Sequence, residues 1–263
     1  MKKFDGFCLF SDMDGTLITD QYEIPQKNIE ALKYFTENGG RFALATGRGL
    51  HSATVELQKI LPVNLPCVML NGGLVYDFQK QQSLYTRLLP RDAALSLVDT
   101  LLARYPQHSI AVWCLDHRVE LGVSAEWMLP SLTGELSSVT DPWCKLVIHH
   151  DPSEQAEMLA FIEQNLIGGM QTTVSCDRFI EVMPGGVSKG NAIEWLIDHF
   201  ALDRSRVLTI GDYYNDLEML SIPGIRSFCP KNAPDDIQAL CEHTLCHVDD
   251  AAIDALITYT ETH

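Results

Sequence analysis

Short apolar runs alternate with amphipathic segments in the first part of the chain. The runs "FCLFS", "RFALATG" and "PCVML" are typical of strands that are buried on both faces. The segments "PQKNIEALKYFTENGG" and "LHSATVELQKIL" have the apolar spacing of helices, and the first is bounded by Pro25 and by Gly39 and Gly40. The alternation predicts an α/β fold with a doubly wound, mainly parallel, Rossmann-like sheet.

The pattern changes after this region. The runs "LVYDF" and "SLYTRLL" flank the polar "QKQQ" and predict a hairpin. Helical spacing follows in "RDAALSLVDTLLARY" and "SEQAEMLAFIEQNL", mixed with the strand-like runs "SIAVWCL", "CKLVIHH", "QTTVSC" and "FIEVM". Hairpins mixed with helices predict an α+β domain with an antiparallel sheet.

From about Val187 the first pattern resumes. Strands are predicted at "RVLTIGD", "IRSFC" and "TLCHV", and helices at "KGNAIEWLIDHF", "NDLEML", "PDDIQALCEH" and "DDAAIDALITYT". The sequence therefore predicts one α/β core formed by residues 1–78 and 184–263. An α+β domain of residues 79–183 is inserted into it.

Composition narrows the classes of function. The 263 residues are 46% hydrophobic, and 35 Asp and Glu face 19 Lys and Arg, for a net charge of -16. Nucleic-acid binding is disfavoured, because it needs cations against phosphates. The start "MKKFDGFCLF" lacks a signal-peptide pattern, and no apolar run is long enough for a membrane span. Eight cysteines without a C-x-x-C pair indicate buried thiols in a reducing cytoplasm.

Asp12 and Asp14 of "DMDGT" directly follow the first predicted strand. Taken alone, the pair fits an ordinary turn, since Asp and Gly both favour turns. Ligands of open α/β sheets, however, bind beyond the carboxyl ends of strands. Two adjacent carboxylates also repel each other unless a cation lies between them or one is protonated.

Other predicted core segments also carry polar residues at their ends. "ATGR" and "GDYYND" each follow a strand, and "SKG" opens a helix. These motifs contribute Thr46, Gly47, Arg48, Lys189, Asp212, Asn215 and Asp216. Because parallel strands end at one edge of a sheet, we expect these residues to meet Asp12 and Asp14. Such convergence favours a functional site over several independent turns.

The residue types indicate phosphoryl chemistry. Clustered carboxylates suit a hard cation such as Mg²⁺, and lysine and threonine beside it can hold a phosphoryl group. One aspartate can act as a nucleophile and form an aspartyl-phosphate. A second carboxyl group can protonate the leaving oxygen and then activate water.

The motifs "DMDGT", "ATGR", "SKG" and "GDYYND", in this order, resemble the four motifs of the haloacid dehalogenase superfamily of phosphatases. The insert is similar to the C2B cap of the Cof-type subfamily IIB, and "EVMPGGVSKG" is similar to the end of that cap. The resemblance covers essentially the whole chain. It implies a Rossmann-like core of residues 1–78 and 184–263 and a cap of residues 79–183.

The resemblance also implies roles for the site residues. Asp12 is then the nucleophile and Asp14 the acid/base, and Mg²⁺ binds Asp12, the backbone carbonyl of Asp14, and Asp212. Asp216 orients Lys189 or a metal-bound water. The residues that bind substrate and phosphate are Thr46, Gly47, Arg48, Lys189 and Asn215.

Some residues depart from the family pattern or have no role implied by the resemblance. Tyr213 and Tyr214 replace smaller residues of the family pattern, "NGG" replaces "NGA", and "FCPKNAPDDI" replaces a glycine-rich form, so the substrate is not carried over. Asn71 fits either a turn or a substrate contact. In the insert, a structural role is expected for Trp113, Trp127, Trp143, His149 and His150.

The sequence thus predicts a cytoplasmic, Mg²⁺-dependent phosphomonoester hydrolase of a small phosphorylated metabolite. The insert would act as a lid, with hinges near 72–75 and 184–186, where glycine and proline interrupt the elements. One alternative is a phosphomutase or phosphotransferase with the same aspartyl-phosphate. Another is a non-catalytic protein that binds a phosphometabolite. Neither a nucleic-acid nor a membrane partner is expected, and the oligomeric state and the substrate are not predicted.

Overall fold

The computed structural model describes residues 2–50, 52–122, 132–133, 136 and 139–263. Trp127, which the sequence predicts as a core residue, lies outside them. The chain divides into two compact units. The first comprises residues up to Arg48, Ser52–Tyr85 and Ser188–His263, and the second comprises Thr86–Val187 with a short segment after Arg48.

Strands and helices alternate along the described residues. The strands are β1 (Cys8–Ser11), β2 (Arg41–Leu44), β3 (Cys67–Met69), β4 (Leu74–Asp77), β5 (Gln82–Thr86), β6 (Ser109–Trp113), β7 (Arg118–Gly122), β8 (Leu132–Thr133), β9 (Lys145–His149), β10 (Met170–Cys176), β11 (Phe179–Pro184), β12 (Val207–Ile210), β13 (Arg226–Cys229) and β14 (His243–Thr244). The helices are α1 (Gln26–Glu37), α2 (Ser52–Ile60), α3 (Arg91–Arg104), α4 (Gln155–Asn165), α5 (Lys189–His199), α6 (Leu217–Leu220), α7 (Asp235–Leu240) and α8 (Ala252–Thr262).

A parallel sheet forms the centre of the first unit. Its strand order is β14-β13-β12-β1-β2, and every neighbouring pair is parallel. The predicted α/β class with a parallel core sheet is confirmed. Strand β14 overlaps the predicted strand "TLCHV" only at Thr244, because the residues that pair with β13 are His243 and Thr244. Strand β1 lies between β12 and β2, so residues that follow these three strands share one edge.

Strand β3 follows the prediction of a third parallel core strand only in part, through a parallel bridge next to the end of β2. It pairs antiparallel with β4, in a small sheet of order β3-β4-β5. A parallel bridge between Ala45 and Val68 connects it to the chain after β2. The chain reverses immediately after β3, in a turn at Leu70–Gly72, and this reversal brings β4 alongside.

Helices α1 and α5 show why the predicted segments fold as they do. Helix α1 buries Ala31, Leu32 and Phe35 along one face, and Gly39 takes a φ of +99° just beyond its end. Helix α5 begins after Ser188, whose side chain accepts a hydrogen bond from the backbone N–H of Asn191 at 3.0 Å. This cap fixes the position of Lys189, the first residue of the helix.

The second unit contains a mainly antiparallel sheet of order β10-β11-β9-β6-β7-β8. One face packs on α3 and α4 in a hydrophobic core that includes Trp143, Leu97 and Ile162. Trp143 is therefore confirmed as a core residue. Strand β7 was not predicted from the sequence, because the run "RVELG" is short and offers only Val119 and Leu121 as apolar positions.

The other face of this sheet mixes apolar side chains, such as Val147, with charged ones. Lys145 on β9 and Glu181 on β11 form a buried ion pair at 2.5 Å. The Nζ atom of Lys145 also lies 4.9 Å from the ring centre of Trp113. Pairing of this kind allows charged groups to be buried in a strand-rich core.

Two sequence predictions concern the chain as a whole. None of the described helices is long and apolar enough to cross a membrane. All eight cysteines are free thiols, and five of them are buried. The buried cysteines are Cys8, Cys67, Cys114, Cys144 and Cys229.

Candidate active site

The polar residues predicted from the motifs come together at the edge where β1, β2 and β12 end. Asp12 follows β1, Thr46 lies two residues beyond β2, and Asp212 lies two residues beyond β12. The backbone N–H of Asp12 donates to the carbonyl of Ile210 at 2.9 Å, so β1 and β12 remain paired up to the site. The topology of a parallel sheet therefore places sequence-distant carboxylates side by side.

Lys189 lies between two of these carboxylates. Its Nζ atom is 2.5 Å from Asp12 Oδ1 and 2.6 Å from Asp216 Oδ1, and its side chain is fully buried. Burial acts to lower the pKa of Lys189, but Asp12 and Asp216 outweigh it and raise the pKa. Lys189 is thus held as an ammonium directly beside the predicted nucleophile.

Asp216 has no free carboxylate oxygen in this arrangement. One oxygen accepts from Lys189, and the other accepts from the backbone N–H groups of Asp212 and Tyr213 at 3.0 and 3.2 Å. Gly211 makes room for this carboxylate, since a Cβ atom there would lie 2.5 Å from Asp216 Cγ. Asp216 therefore connects the loop after β12 to the ammonium of Lys189.

Asp212 is fixed by the "DGT" part of the first motif. Its Oδ1 atom accepts a hydrogen bond from Thr16 Oγ1 at 2.7 Å. Gly15 has a φ of +81°, and a Cβ atom at this position would lie 2.4 Å from Asp212 Oδ2. Glycine is required here, because any side chain would collide with the carboxylate.

Three carboxylates of the site lie close together, although both oxygens of Asp216 already accept hydrogen bonds. Asp12, Asp212 and Asp216 each offer an oxygen within 4.8 Å of the others. Burial raises the pKa of Asp12 well above its ordinary range, and Asp216 and Asp212 add to the rise while Lys189 opposes it. Burial and Asp216 raise the pKa of Asp212 to about 7. Burial and mutual repulsion both disfavour the ionised carboxylates, and a bound divalent cation would offset both. An all-oxygen donor set fits Mg²⁺.

Asp14 points away from this cluster, toward Arg48. The guanidinium donates from Nε to Asp14 Oδ2 at 2.9 Å and from its terminal nitrogen to Asp14 Oδ1 at 2.5 Å. Asp14 is half exposed, whereas Asp12 is buried. Two carboxylates that are adjacent in sequence therefore occupy different environments, as different chemical roles require.

The remaining predicted residues, Thr46, Gly47 and Asn215, lie in the same unit. Thr46 is fully buried, and its Oγ1 atom accepts from the backbone N–H of Arg48 at 3.1 Å. Asn215 Nδ2 donates to Asn71 Oδ1 at 3.3 Å. A Cβ atom at Gly47 would lie 3.1 Å from the same Asn71 oxygen.

Two residues that support the site were not predicted from the sequence. Thr16, inside the first motif, holds Asp212 as described above. Asn232 Nδ2 donates to the carbonyl of Gly15 at 2.7 Å, and its Oδ1 accepts from the N–H of Val248 at 3.0 Å. The run "FCPKNAP" places this asparagine just after a core strand, the same signal that identified the other candidates.

Comparisons with known proteins identify the family of this chain and agree with its fold. A family model described as haloacid dehalogenase-like hydrolase matches residues 9–257. The pyridoxal phosphate phosphatase YbhA of Escherichia coli is 25% identical over 248 residues, which cover 87% of this chain and 89% of that protein.

Solved structures share the fold. A haloacid dehalogenase-like hydrolase from Bacteroides thetaiotaomicron superposes with a TM-score of 0.83 at 24% identity, covering 96% of this chain and 98% of that one. A structure described as the HAD subclass IIB sugar phosphatase BT4131 superposes with a TM-score of 0.78 at 18% identity, covering 96% and 98%.

Proposed function

The chain belongs to the family of haloacid dehalogenase-like hydrolases, and from this premise we propose that it is a Mg²⁺-dependent phosphomonoesterase of a small phosphorylated metabolite. One observation carries the proposal. The carboxylate of Asp12 lies at the end of the central strand β1, 2.5 Å from a buried lysine and within a cluster of three carboxylates. A nucleophile, a phosphate-binding cation and a metal-binding group are thereby available at one point.

In the proposed reaction, an oxygen of Asp12 attacks the phosphorus of the ester. A bond forms between this oxygen and phosphorus, and the bond between phosphorus and the ester oxygen breaks. Asp14 gives its proton to the departing oxygen. It then removes a proton from a water that attacks the aspartyl-phosphate, which releases inorganic phosphate and regenerates both carboxyl groups.

Mg²⁺ would be held by the carboxylates of Asp12 and Asp212 and by the backbone carbonyl of Asp14. When bound, it supplies positive charge that balances the phosphoryl oxygens and the carboxylates. Asp216 acts on Lys189 in this proposal, because both of its oxygens already accept hydrogen bonds from protein groups.

The phosphoryl group would be bound by five residues of the first unit, which are Thr46, Gly47, Arg48, Lys189 and Asn215. Lys189 provides the nearest fixed positive charge to Asp12. Arg48 is the second cation, and its bidentate pair with Asp14 places it beside the proposed acid/base. The hydroxyl of Thr46 and the amide of Asn215 supply neutral donors.

The substrate class is a phosphate ester of a small metabolite. The relatives described above are named for pyridoxal phosphate and for sugar phosphates, and both are small phosphate monoesters. We propose that the insert at residues 79–183 selects among leaving groups, because all residues proposed for the chemistry lie outside it.

Phosphate release tests the proposal. The purified protein is incubated with p-nitrophenyl phosphate and with a set of sugar phosphates and cofactor phosphates, in Mg²⁺ and after chelation of the metal. We expect inorganic phosphate only with Mg²⁺. Full activity in metal-free protein contradicts the metal requirement, and phosphoryl transfer between sugar bisphosphates without net release indicates a phosphomutase. Binding without turnover indicates a non-catalytic binding protein.

A matched pair of variants tests whether Asp212 binds the metal. Asp212→Ala removes one proposed ligand, and we expect the Mg²⁺ concentration for half-maximal activity to rise at least about tenfold, or about 1.4 kcal/mol of metal binding. His149→Gln in the second unit serves as the control and leaves this concentration unchanged. Equal Mg²⁺ dependence in Asp212→Ala and the unmodified protein contradicts the assignment of Asp212.

A further inference from the structure

The turn at Leu70–Gly72 has an unusual backbone conformation. The φ angles are +52° at Leu70, +51° at Asn71 and +100° at Gly72, three consecutive residues in the left-handed region. Residues with side chains rarely adopt this region, and they remain there only where surrounding contacts hold them. Residues in such conformations cluster at functional sites. The contacts that hold this turn therefore indicate what the turn does.

The amide of Asn71 connects two of the proposed phosphate-binding segments. Its Oδ1 atom accepts from Asn215 Nδ2 at 3.3 Å, and its backbone N–H donates to the carbonyl of Thr46 at 3.0 Å. The side-chain amide also fills the space beside Gly47, where a Cβ atom would lie 3.1 Å from Oδ1 and 3.3 Å from Nδ2. Asn71 thus touches both the "ATGR" loop and the "GDYYND" loop.

Gly72 connects the same turn to the third segment. A Cβ atom at Gly72 would lie 2.1 Å from the carbonyl oxygen of Ser188 and 3.2 Å from the backbone nitrogen of Lys189. The turn therefore packs directly on the first residues of α5. The proposed phosphate ligands lie in the segments "ATGR", "SKG" and "GDYYND". Each of these segments contacts either Asn71 or Gly72.

We propose that Asn71 is a positioning residue that holds Asn215 and the loop at Gly47 in the arrangement that binds the phosphoryl group. Asn71 is almost fully buried, with 1% of its surface exposed, and its oxygen is engaged by Asn215. Its contacts with Asn215 and Gly47, rather than its burial, favour action through its neighbours, since the proposed ligands Thr46 and Lys189 are buried just as deeply. The inference rests on the proposed phosphatase function and assigns a role to a residue outside the proposed ligand set.

A double-mutant cycle tests this role. Asn71→Gly keeps the left-handed backbone and removes the amide, and Asn215→Ala removes the group that the amide holds. For p-nitrophenyl phosphate with Mg²⁺, we expect each variant to lower kcat/KM about tenfold, mainly through a higher KM. The double variant should lose clearly less than the hundredfold expected for independent sites, because in Asn215→Ala only the loop at Gly47 is left for Asn71 to hold.

A control separates positioning from general stability. Asn64 lies in the same unit, and its amide accepts from the N–H of Phe42 at 2.7 Å and donates to the carbonyl of Gly40 at 3.2 Å, near the start of β2. Asn64→Gly removes a similar number of hydrogen bonds. We expect both variants to lower the Tm, with kcat/KM of Asn64→Gly within about twofold of the unmodified protein and kcat/KM of Asn71→Gly about tenfold lower.

A second variant displaces the side-chain amide of Asn71 without substituting Asn71 itself. Gly47→Ala introduces a methyl group that Asn71 must avoid by a few tenths of an ångström, and it is measured whether or not Asn71→Gly folds. We expect a several-fold rise in KM that disappears when Gly47→Ala is made in the Asn71→Gly background.

Several results overturn the inference while leaving the phosphatase proposal intact. These are unchanged kcat/KM in Asn71→Gly, multiplicative losses of about a hundredfold in the double variant, an equal kinetic loss in Asn64→Gly, or no effect of Gly47→Ala on KM. Absence of phosphate release by the unmodified protein instead overturns the proposed function.

Discussion

Lys189 shows how a single residue balances the charges of the site. A buried ammonium is costly unless it is paired, and here Asp12 and Asp216 supply the pairing. The cluster of Asp12, Asp212 and Asp216 nevertheless carries three negative charges against one positive charge when all are ionised. The remaining two charges equal those that a divalent cation neutralises, which is consistent with the proposed Mg²⁺ site.

Removal of one carboxylate from this balance is expected to destabilise the first unit. Asp216→Asn leaves Lys189 buried with half of its compensation, and we expect the free energy of unfolding to fall by about 3 kcal/mol. Urea denaturation measures the change. Asp198→Asn is the control, because this carboxylate is 80% exposed and lies 3.8 Å from Arg204; it should change stability by less than about 0.5 kcal/mol. Equal losses in the two variants contradict the account.

Substitution of the two aspartates of "DMDGT" should reduce phosphatase activity in different ways. Asp12→Asn removes the attacking oxygen, so activity should be lost on every substrate. Asp14→Asn removes proton transfer, which is typically worth about 10² to 10⁴ in rate. We therefore expect a small loss on p-nitrophenyl phosphate, whose leaving group needs little protonation, and a large loss on a sugar phosphate. Equal losses for both variants on both substrates contradict the assigned roles.

Elements with strong local patterns could be predicted from the sequence. Strand β1 and helix α1 are marked by a continuous apolar run and by helical spacing between Pro25 and Gly39. The residues that follow core strands were expected to meet because parallel strands end at one edge. Strand β7 and the antiparallel pairing of β3 were not predicted, although each pairs with a neighbouring segment, β6 and β4. The run "RVELG" is short and has only two apolar residues, and the reversal after β3 begins at Leu70, a residue type that gives no turn signal.

The turn after β3 provides a test at the scale of an element. Gly72 and Gly186 both have positive φ, at +100° and +73°, but only Gly72 is closely packed, against Ser188. Gly186→Ala should cost about 1 kcal/mol of backbone strain, whereas Gly72→Ala adds a collision and should cost at least about 3 kcal/mol. Thermal unfolding compares the two variants. Equal stability contradicts the view that this turn is fixed by its contact with α5.

At the scale of the whole molecule, the proposed chemistry and the insert lie in different parts of the chain. Asp12, Asp14, Lys189 and Asp212 belong to the first unit, and the second unit has a hydrophobic core of its own. The domain boundaries at 78/79 and 183/184, and the role of the insert as a lid, stay predictions. The substrate could not be predicted, because the motifs specify phosphoryl transfer and carry no information on the leaving group.

Replacement of residues 79–183 by a short linker should separate selectivity from chemistry. We expect the shortened protein to retain turnover of p-nitrophenyl phosphate and to lose its preferences among sugar and cofactor phosphates. Circular dichroism and Mg²⁺-dependent stabilisation establish that the shortened protein is folded. A folded variant that keeps the full-length substrate ranking contradicts the proposed role of the insert.

The central claim, an aspartyl-phosphate on Asp12, is tested most directly by peptide mass spectrometry of the Asp14→Asn variant. This variant should form the intermediate and hydrolyse it slowly, because it lacks the base that activates water. After incubation with p-nitrophenyl phosphate and Mg²⁺ and an acid quench, we predict a mass increase of one phosphoryl group on the peptide that contains Asp12. The Asp12→Asn/Asp14→Asn double variant should show none. A phosphoryl group on a different residue, or continued phosphate release by the double variant, would contradict the account.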